Sequence, residues 1–155
     1  MRTLTFQLQR GFTLVELMVV VVVVGILAAV AYPSMTSMIQ RSRRADAIAA
    51  LTAVVQAQER YRSNHPTYSE DVSSLKIDVE KAYKHYDIGL AGLGEAASFS
   101  SGYVVTATPR SGSPQASDKD CATLGIKLEG SKFSYLAKKA DGTDGDAVVS
   151  HCWAR

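Results

Sequence analysis

The chain has 155 residues, 46% of them hydrophobic, a mean hydropathy of +0.00 and a formal net charge of +2. That length suits one domain with appendages, and the apolar content is ordinary for a folded chain. Two of the 17 Lys and Arg residues, Arg2 and Arg10, precede residue 11, leaving basic side chains equal in number to the 15 acidic ones. This balance excludes bulk attraction to nucleic acid and leaves only a local patch to provide it.

The first segment of note is Gly11-Phe12-Thr13-Leu14-Val15-Glu16-Leu17. It opens an apolar run in which Glu16 is the single charged side chain between Phe12 and Gln40. A run of this length can cross a bilayer core, which needs about 20 apolar residues. A carboxylate there costs at least about 2–3 kcal/mol on insertion scales, which marks Glu16 as a residue with a partner. The nearest cation is the α-amine of Phe12, provided the chain is cut after Gly11. A rival reading takes Ala29-Val30-Ala31 as an ordinary secretory cleavage site, so that a soluble mature chain starts at Tyr32. Glu16 speaks against it, because a signal core gains nothing from a carboxylate, and the helical pattern runs on past Ala31. Arg2 and Arg10 precede the run and Arg41, Arg43 and Arg44 follow it, so the positive-inside count is close to a tie.

The Gly11 to Leu17 motif, after a short basic leader and before a long apolar helix, resembles the N-terminus of type IV prepilins. The close resemblance covers about the first third of the chain. It implies that a prepilin peptidase removes residues 1–11 and methylates the new amine of Phe12. It also implies that Glu16 pairs with the N-terminus of a neighbouring subunit during filament assembly. The leader would be cytoplasmic, residues 12–40 a single-pass inner-membrane and filament-core helix, and residues 41–155 a globular domain outside.

Beyond the membrane run, Ile48, Leu51 and Val55 recur at three- and four-residue steps, with Val54 and Tyr61 widening the stripe. Arg43, Gln56, Glu59 and Arg60 fall largely outside it. Ser63-Asn64-His65-Pro66 supplies a stop, with Asn64 as a left-handed cap. A helix over 12–63 would be about 75 Å long, with Gly25 and Pro33 as breakers and a kink expected at Pro33. Residues 83–88 read as a first strand, the Gly-, Ala- and Ser-rich stretch 90–101 as a loop, and 102–108 as a strand stopped by Pro109. After a polar loop over 110–120, Ala122, Leu124, Ile126 and Leu128 alternate with Thr123, Gly125, Lys127 and Glu129, a half-buried strand. Glu129-Gly130-Ser131-Lys132 then turns into a strand over 133–136. The fold class is α+β: a long helix, its second half packed on an antiparallel sheet of about four strands.

Cys121 and Cys152 read as a staple tying the C-terminus to the sheet, which belongs on the oxidising side of a membrane. Closing that loop would contribute about 3–4 kcal/mol. A redox or metal role would need more ligands than the adjacent His151. Such a C-terminal disulfide loop again resembles type IV pilins. Thr106-Ala107-Thr108-Pro109, Cys121-Ala122-Thr123-Leu124 and Cys152-Trp153 look like the minor-pilin group that includes DNA-uptake pilins. This second resemblance admits double-stranded DNA as a partner; the candidate contacts come from local charge, since within the stapled loop Lys127, Lys132, Lys138, Lys139 and His151 outnumber Glu129 before residue 141. The alternative reading of those residues is scattered solubilising lysines, since Asp141, Asp144 and Asp146 bring the loop close to neutral.

Other constellations point nowhere specific. The carboxylates of 141–146 do not have EF-hand spacing, and His65 and His85 read as isolated, solvated residues. Tyr83 and Tyr86 could stack on bases, though strand tyrosines more often pack against a helix. No nucleophile–base pair, paired carboxylates or phosphate loop occurs, so no enzyme, cofactor or metal is expected. The sequence thus predicts a structural, minor subunit of a type IV pilus, serving DNA uptake, adhesion or twitching motility. Its expected partners are prepilin peptidase, other pilin subunits and the inner membrane before assembly. A pseudopilin of a type II secretion system and the secreted domain cut after Ala31 stand as alternatives.

Overall fold

The computed structural model describes residues 12–153. Its elements in chain order are helix α1 (Leu14–Arg62), the short α2 (Glu80–Tyr83), strands β1 (Tyr86–Leu93), β2 (Ser98–Pro109), β3 (Thr123–Glu129) and β4 (Lys132–Lys138), and helix α3 (Asp146–Trp153). The chain divides into two compact units between Met38 and Ile39.

In the first unit, α1 is assigned as one helix through positions 25 and 33. Its large apolar side chains are all exposed, among them Leu14, Val20, Ile26 and Val30. Thr13 starts the helix: its Oγ1 accepts a hydrogen bond from the Glu16 N–H at 3.2 Å, and its carbonyl accepts one from the Leu17 N–H at 3.2 Å. Thr13 and Glu16 thus hold the Thr-x-x-Glu spacing of a capping box. A carboxylate in the first turn also suits the positive end of the helix dipole.

In the second unit the sheet order is β1-β2-β3-β4, all antiparallel. Alternation along paired strands sends Tyr86, Tyr103, Val105, Ala107, Leu124, Ile126, Leu128 and Ala137 to one face,. There they form one core with Ala47, Leu51, Val54 and Ala57 of α1. The expected helix stripe and the α+β architecture are therefore present.

The helix stops after Arg62 as expected, but not through a left-handed cap. Among the described residues, the non-glycine positive-φ positions are Lys76 and Ala97. Asn64 instead hydrogen-bonds its N–H to the Tyr61 carbonyl at 3.1 Å and its side-chain Nδ2 to Arg60 O at 3.3 Å, tightening the last turn. The stretch expected as a loop over 90–101 is largely strand: β1 continues to Leu93 and β2 starts at Ser98. Gly and Ala have poor strand propensity in isolation. Here Gly89 and Ala91 fall on the face of the sheet away from the core, where pairing with Thr106 and Val104 carries the strand. Residues 83–85 end α2 and lead into β1 rather than belonging to it. Gly102 is required by a close approach, because a Cβ built on it would lie 2.0 Å from the Leu128 carbonyl oxygen.

Candidate functional site

Cys121 and Cys152 form a disulfide across a separation of 31 residues. Helix α3, which sequence periodicity did not reveal, carries Val148 and Cys152 into the core. The indole Nε1 of Trp153 donates to the Leu136 carbonyl at 3.0 Å, docking α3 on the outer edge of β4. The bridge therefore joins the start of β3 to the last helix.

The four candidate lysines do not act as one set. In the β3–β4 register Lys127 faces Ser134, Glu129 faces Lys132 and Thr123 faces Lys138. Lys127, Lys132 and Lys138 consequently share the sheet face away from the core. Lys139 lies past the end of β4 and stands 4.0 Å from Asp120. Carboxylates accompany the shared face as well: Lys127 Nζ is 2.7 Å from Glu129 and Lys138 Nζ 3.9 Å from Asp144. The hydrogen bond and charge of Lys127 hold the Glu129 carboxyl below its ordinary range, with Lys132 adding to the effect.

The other candidates resolve into packing roles. Tyr86 is fully buried, which removes it as a base-stacking platform. Burial pushes its hydroxyl and that of Tyr103 upward, so both stay protonated at neutral pH. His65 stacks on Tyr61 with ring centroids 3.8 Å apart. His85 is half-buried rather than solvated: its Nδ1 lies 3.2 Å from Ser113 Oγ. Desolvation, then Arg43 and Lys84, lower its pKa, with Asp46 opposing them. Asp141 accepts from the Thr143 N–H at 2.9 Å and Asp144 serves Lys138, so both carboxylates have turn and edge duties. At the N-terminus Phe12 and Glu16 are exposed, while Gly11 and the leader lie outside the described residues.

A network that sequence reading missed anchors the loop over 110–120. Arg44 Nε and Nη2 donate to Asp118 Oδ2 and Oδ1 at 2.6 and 3.0 Å. Gln115 Nε2 donates to the same carboxylate at 2.8 Å, and the Cys121 N–H to its Oδ1 at 3.3 Å. A second buried clamp fixes the segment after α1, where Gln58 exchanges two 2.8 Å hydrogen bonds with the Ser69 backbone. Most buried polar groups are satisfied in this way; the exceptions here include Gln115 Oε1 and the hydroxyls of Tyr86 and Tyr103, which have no hydrogen-bond partner among the described residues.

An exposed apolar helix capped by Thr13 and carrying a carboxylate in its first turn, followed by an α+β head closed by a C-terminal disulfide, defines a pilin-like filament subunit. The comparisons agree. Residues 7–32 match the profile described as the prokaryotic N-terminal methylation motif, and residues 33–125 match that described as type IV minor pilin ComP, DNA uptake sequence receptor. The chain belongs to the type IV pilins. It is 31% identical over 136 residues to the type IV major pilin protein PilE of Neisseria gonorrhoeae, covering 88% of this chain and 71% of the relative. It is 37% identical over 76 residues to the type IV major pilin protein PilA of Myxococcus xanthus, covering 49% and 34%. A type II secretion system core protein G of Pectobacterium carotovorum is 33% identical over 73 residues, covering 47% of each.

Proposed function

We propose that this pilin is a minor subunit that contacts double-stranded DNA during uptake. The observation that carries the reading is the match of residues 33–125, well over half the chain, to a profile described as a DNA uptake sequence receptor. The secretion-pseudopilin reading is less favoured, because that relative matches under half of the chain. The DNA contact is assigned to the β3–β4 face bearing Lys127, Lys132 and Lys138. All three lie beyond the matched residues, so this assignment rests on their shared face alone. Lys139 is left out of the patch. With Glu129 and Asp144 close by, the field is weak and the affinity salt-sensitive through counterion release.

The test is a titration of the full chain in detergent with duplex DNA at low and moderate salt, beside a Lys127→Ala, Lys132→Ala, Lys138→Ala variant. Each lysine that meets a phosphate should take about one unit off the log–log salt slope when removed. Equal binding by the two proteins at low salt, or none by either, refutes the DNA assignment.

Before assembly the chain spans the inner membrane once, with residues 1–11 in the cytoplasm and the domain outside. Prepilin peptidase cuts after Gly11, and Glu16 pairs with the methylated amine of a neighbouring subunit's Phe12. Glu16→Ala should leave cleavage and insertion intact, since the run becomes more apolar, yet impair entry into filaments. Normal incorporation of that variant would refute the pairing.

A further inference from the structure

Beyond Ile39, the large apolar side chains that stay exposed among the described residues are Phe133 and Tyr135, at 46% and 57%. Both stand on the core face of β4, opposite the buried Leu128 and Ile126 of β3. Helix α1 therefore covers that face over β3 but not over the edge strand, and a groove of about 750 Å³ stays open along the helix. Arg41, Ala45, Ile48, Ala49 and Thr52 form one wall at helical spacing,. Tyr135 also lines it and tilts onto Trp153, ring centroids 4.7 Å apart. Among the described residues that line the groove none carries a carboxylate, whereas Arg41, Arg44 and His151 are basic. Arg44 is committed to Asp118. Arg41 is exposed, and its guanidinium makes no ion pair among the described residues. The Asp118 carboxylate also accepts the Cys121 N–H, and Cys121 is bonded to Cys152, which draws His151 towards the Arg44 end of the groove. Asp120 lines a smaller hollow beside His151 and is faced by Lys139 at 4.0 Å.

We propose that the Arg41 end of this groove holds the phosphate of an anionic phospholipid while the chain is anchored in the membrane. The first argument is place. Arg41 follows the exposed Met38 by three residues, so the chain itself keeps it within about 11 Å of the apolar stretch, whatever the arrangement of the two units. With that stretch in a bilayer, this reach falls in the headgroup layer, where Trp and Tyr also concentrate. The second argument is charge. The free guanidinium of Arg41 offers a two-point, charge-assisted contact to phosphate oxygens, and a ring N–H of His151 adds a donor. A zwitterionic headgroup brings its own cation into a basic lining, so net-negative lipid is preferred. The third is the apolar lining. Tyr135 and Trp153 suit the boundary between headgroups and acyl chains, and dissolved phosphate would leave Ala45, Ile48 and Ala49 uncovered. The contact holds the head against the bilayer until the subunit leaves it.

This inference rests on the membrane-anchored reading, and the two can fail separately. Trp153 is the single tryptophan of the chain, so its fluorescence reports on the groove alone. The full-length chain is reconstituted in phosphatidylcholine vesicles that contain a low mole fraction of nitroxide-labelled phosphatidylglycerol or, at the same fraction, nitroxide-labelled phosphatidylcholine. The label sits near the glycerol in both. Quenching of Trp153 should favour labelled phosphatidylglycerol by about fivefold, the enrichment given by about 1 kcal/mol for one basic side chain at the headgroups. Arg41→Gln should remove that preference. Lys84→Gln, which takes an exposed charge from the start of β1 at the other edge of the sheet, should keep it. Both variants should keep the disulfide and the melting temperature. Equal quenching by the two lipids, or equal loss of preference in the two variants, overturns the site. Loss of the preference on adding inorganic phosphate at constant ionic strength also overturns it, because the groove would then be a free-anion site. Release of the chain from the vesicles by alkaline carbonate refutes the anchored reading, and the site with it.

Discussion

Arg44 and Asp118, 74 residues apart, form a two-point ion pair with Nε–Oδ2 at 2.6 Å, and their side chains are 11% and 2% exposed. The pair joins α1 to the loop that precedes Cys121, so the helix, the loop and the disulfide share one anchor. Removing one partner of a buried pair leaves an uncompensated charge, whereas replacing both by apolar residues of similar size is often nearly neutral. Asp118→Ala should therefore lower stability by about 3 kcal/mol, and Arg44→Met with Asp118→Leu should recover part of it, the remainder being the acceptor lost to Gln115 Nε2 and the Cys121 N–H,. Urea unfolding of the disulfide-intact chain measures both. A double variant no better than the single would show that the charges are needed for more than each other.

The disulfide is expected to hold α3 rather than the sheet. Cys121→Ser with Cys152→Ser should cost about 3–4 kcal/mol in the chain-entropy picture. It should also shift Trp153 fluorescence towards that of an exposed indole as the bond to Leu136 O loosens. Amides of the β2–β3 pairing should keep their slow hydrogen exchange, because that core is built from α1 and the strands. Loss of protection throughout the sheet would make the bridge a condition of the whole fold.

His85 should leave a mark on the pH dependence. Its folded pKa lies below the ordinary value near 6.5, chiefly through desolvation and then Arg43 and Lys84. In that window the unfolded chain binds more protons than the folded one, so stability falls as pH drops below about 6.5 and levels off once the folded form is protonated. His85→Gln should flatten that part of the profile. An NMR titration placing His85 at or above 6.5, or an unchanged profile in the variant, would contradict this.

What the sequence made legible follows from strong local signals. The apolar run, the stripe of Leu51, Val54 and Val55, and the strict alternation through Leu124, Ile126 and Leu128 each match one structural period, and each is found where expected. The 90–101 stretch misled because Gly, Ala and Ser carry no local preference for strand; only register against β2 makes it one. Helix α3 went unseen because its eight residues give two turns of pattern, too few to separate helix from loop. Arg44 and Asp118 were legible only as a basic tract and a polar loop. A buried pair between distant segments leaves no periodic trace. Thr13 and Glu16 have the spacing of a capping box, and the Thr13 cap is present. The four lysines divided for a geometric reason: strand alternation puts Lys127, Lys132 and Lys138 on one face, and β4 ends before Lys139.

Gly102→Ala tests the register directly. The added Cβ would meet the Leu128 backbone, which cannot move aside as a flexible side chain would. Overpacking of this kind costs about 1–3 kcal/mol or more, and the damage should concentrate in the β2–β3 amides next to Glu129. An unperturbed amide spectrum would place a different residue against Leu128.

The most direct test of the central claim is the intact mass and N-terminal peptide of the protein taken from its native membrane and from sheared filaments. Processing as a pilin yields a chain that begins at Phe12, carries one added methyl group on its amine, and retains Glu16 as its fifth residue. A mature chain beginning at Tyr32, with the apolar run removed, would contradict assembly through that helix altogether.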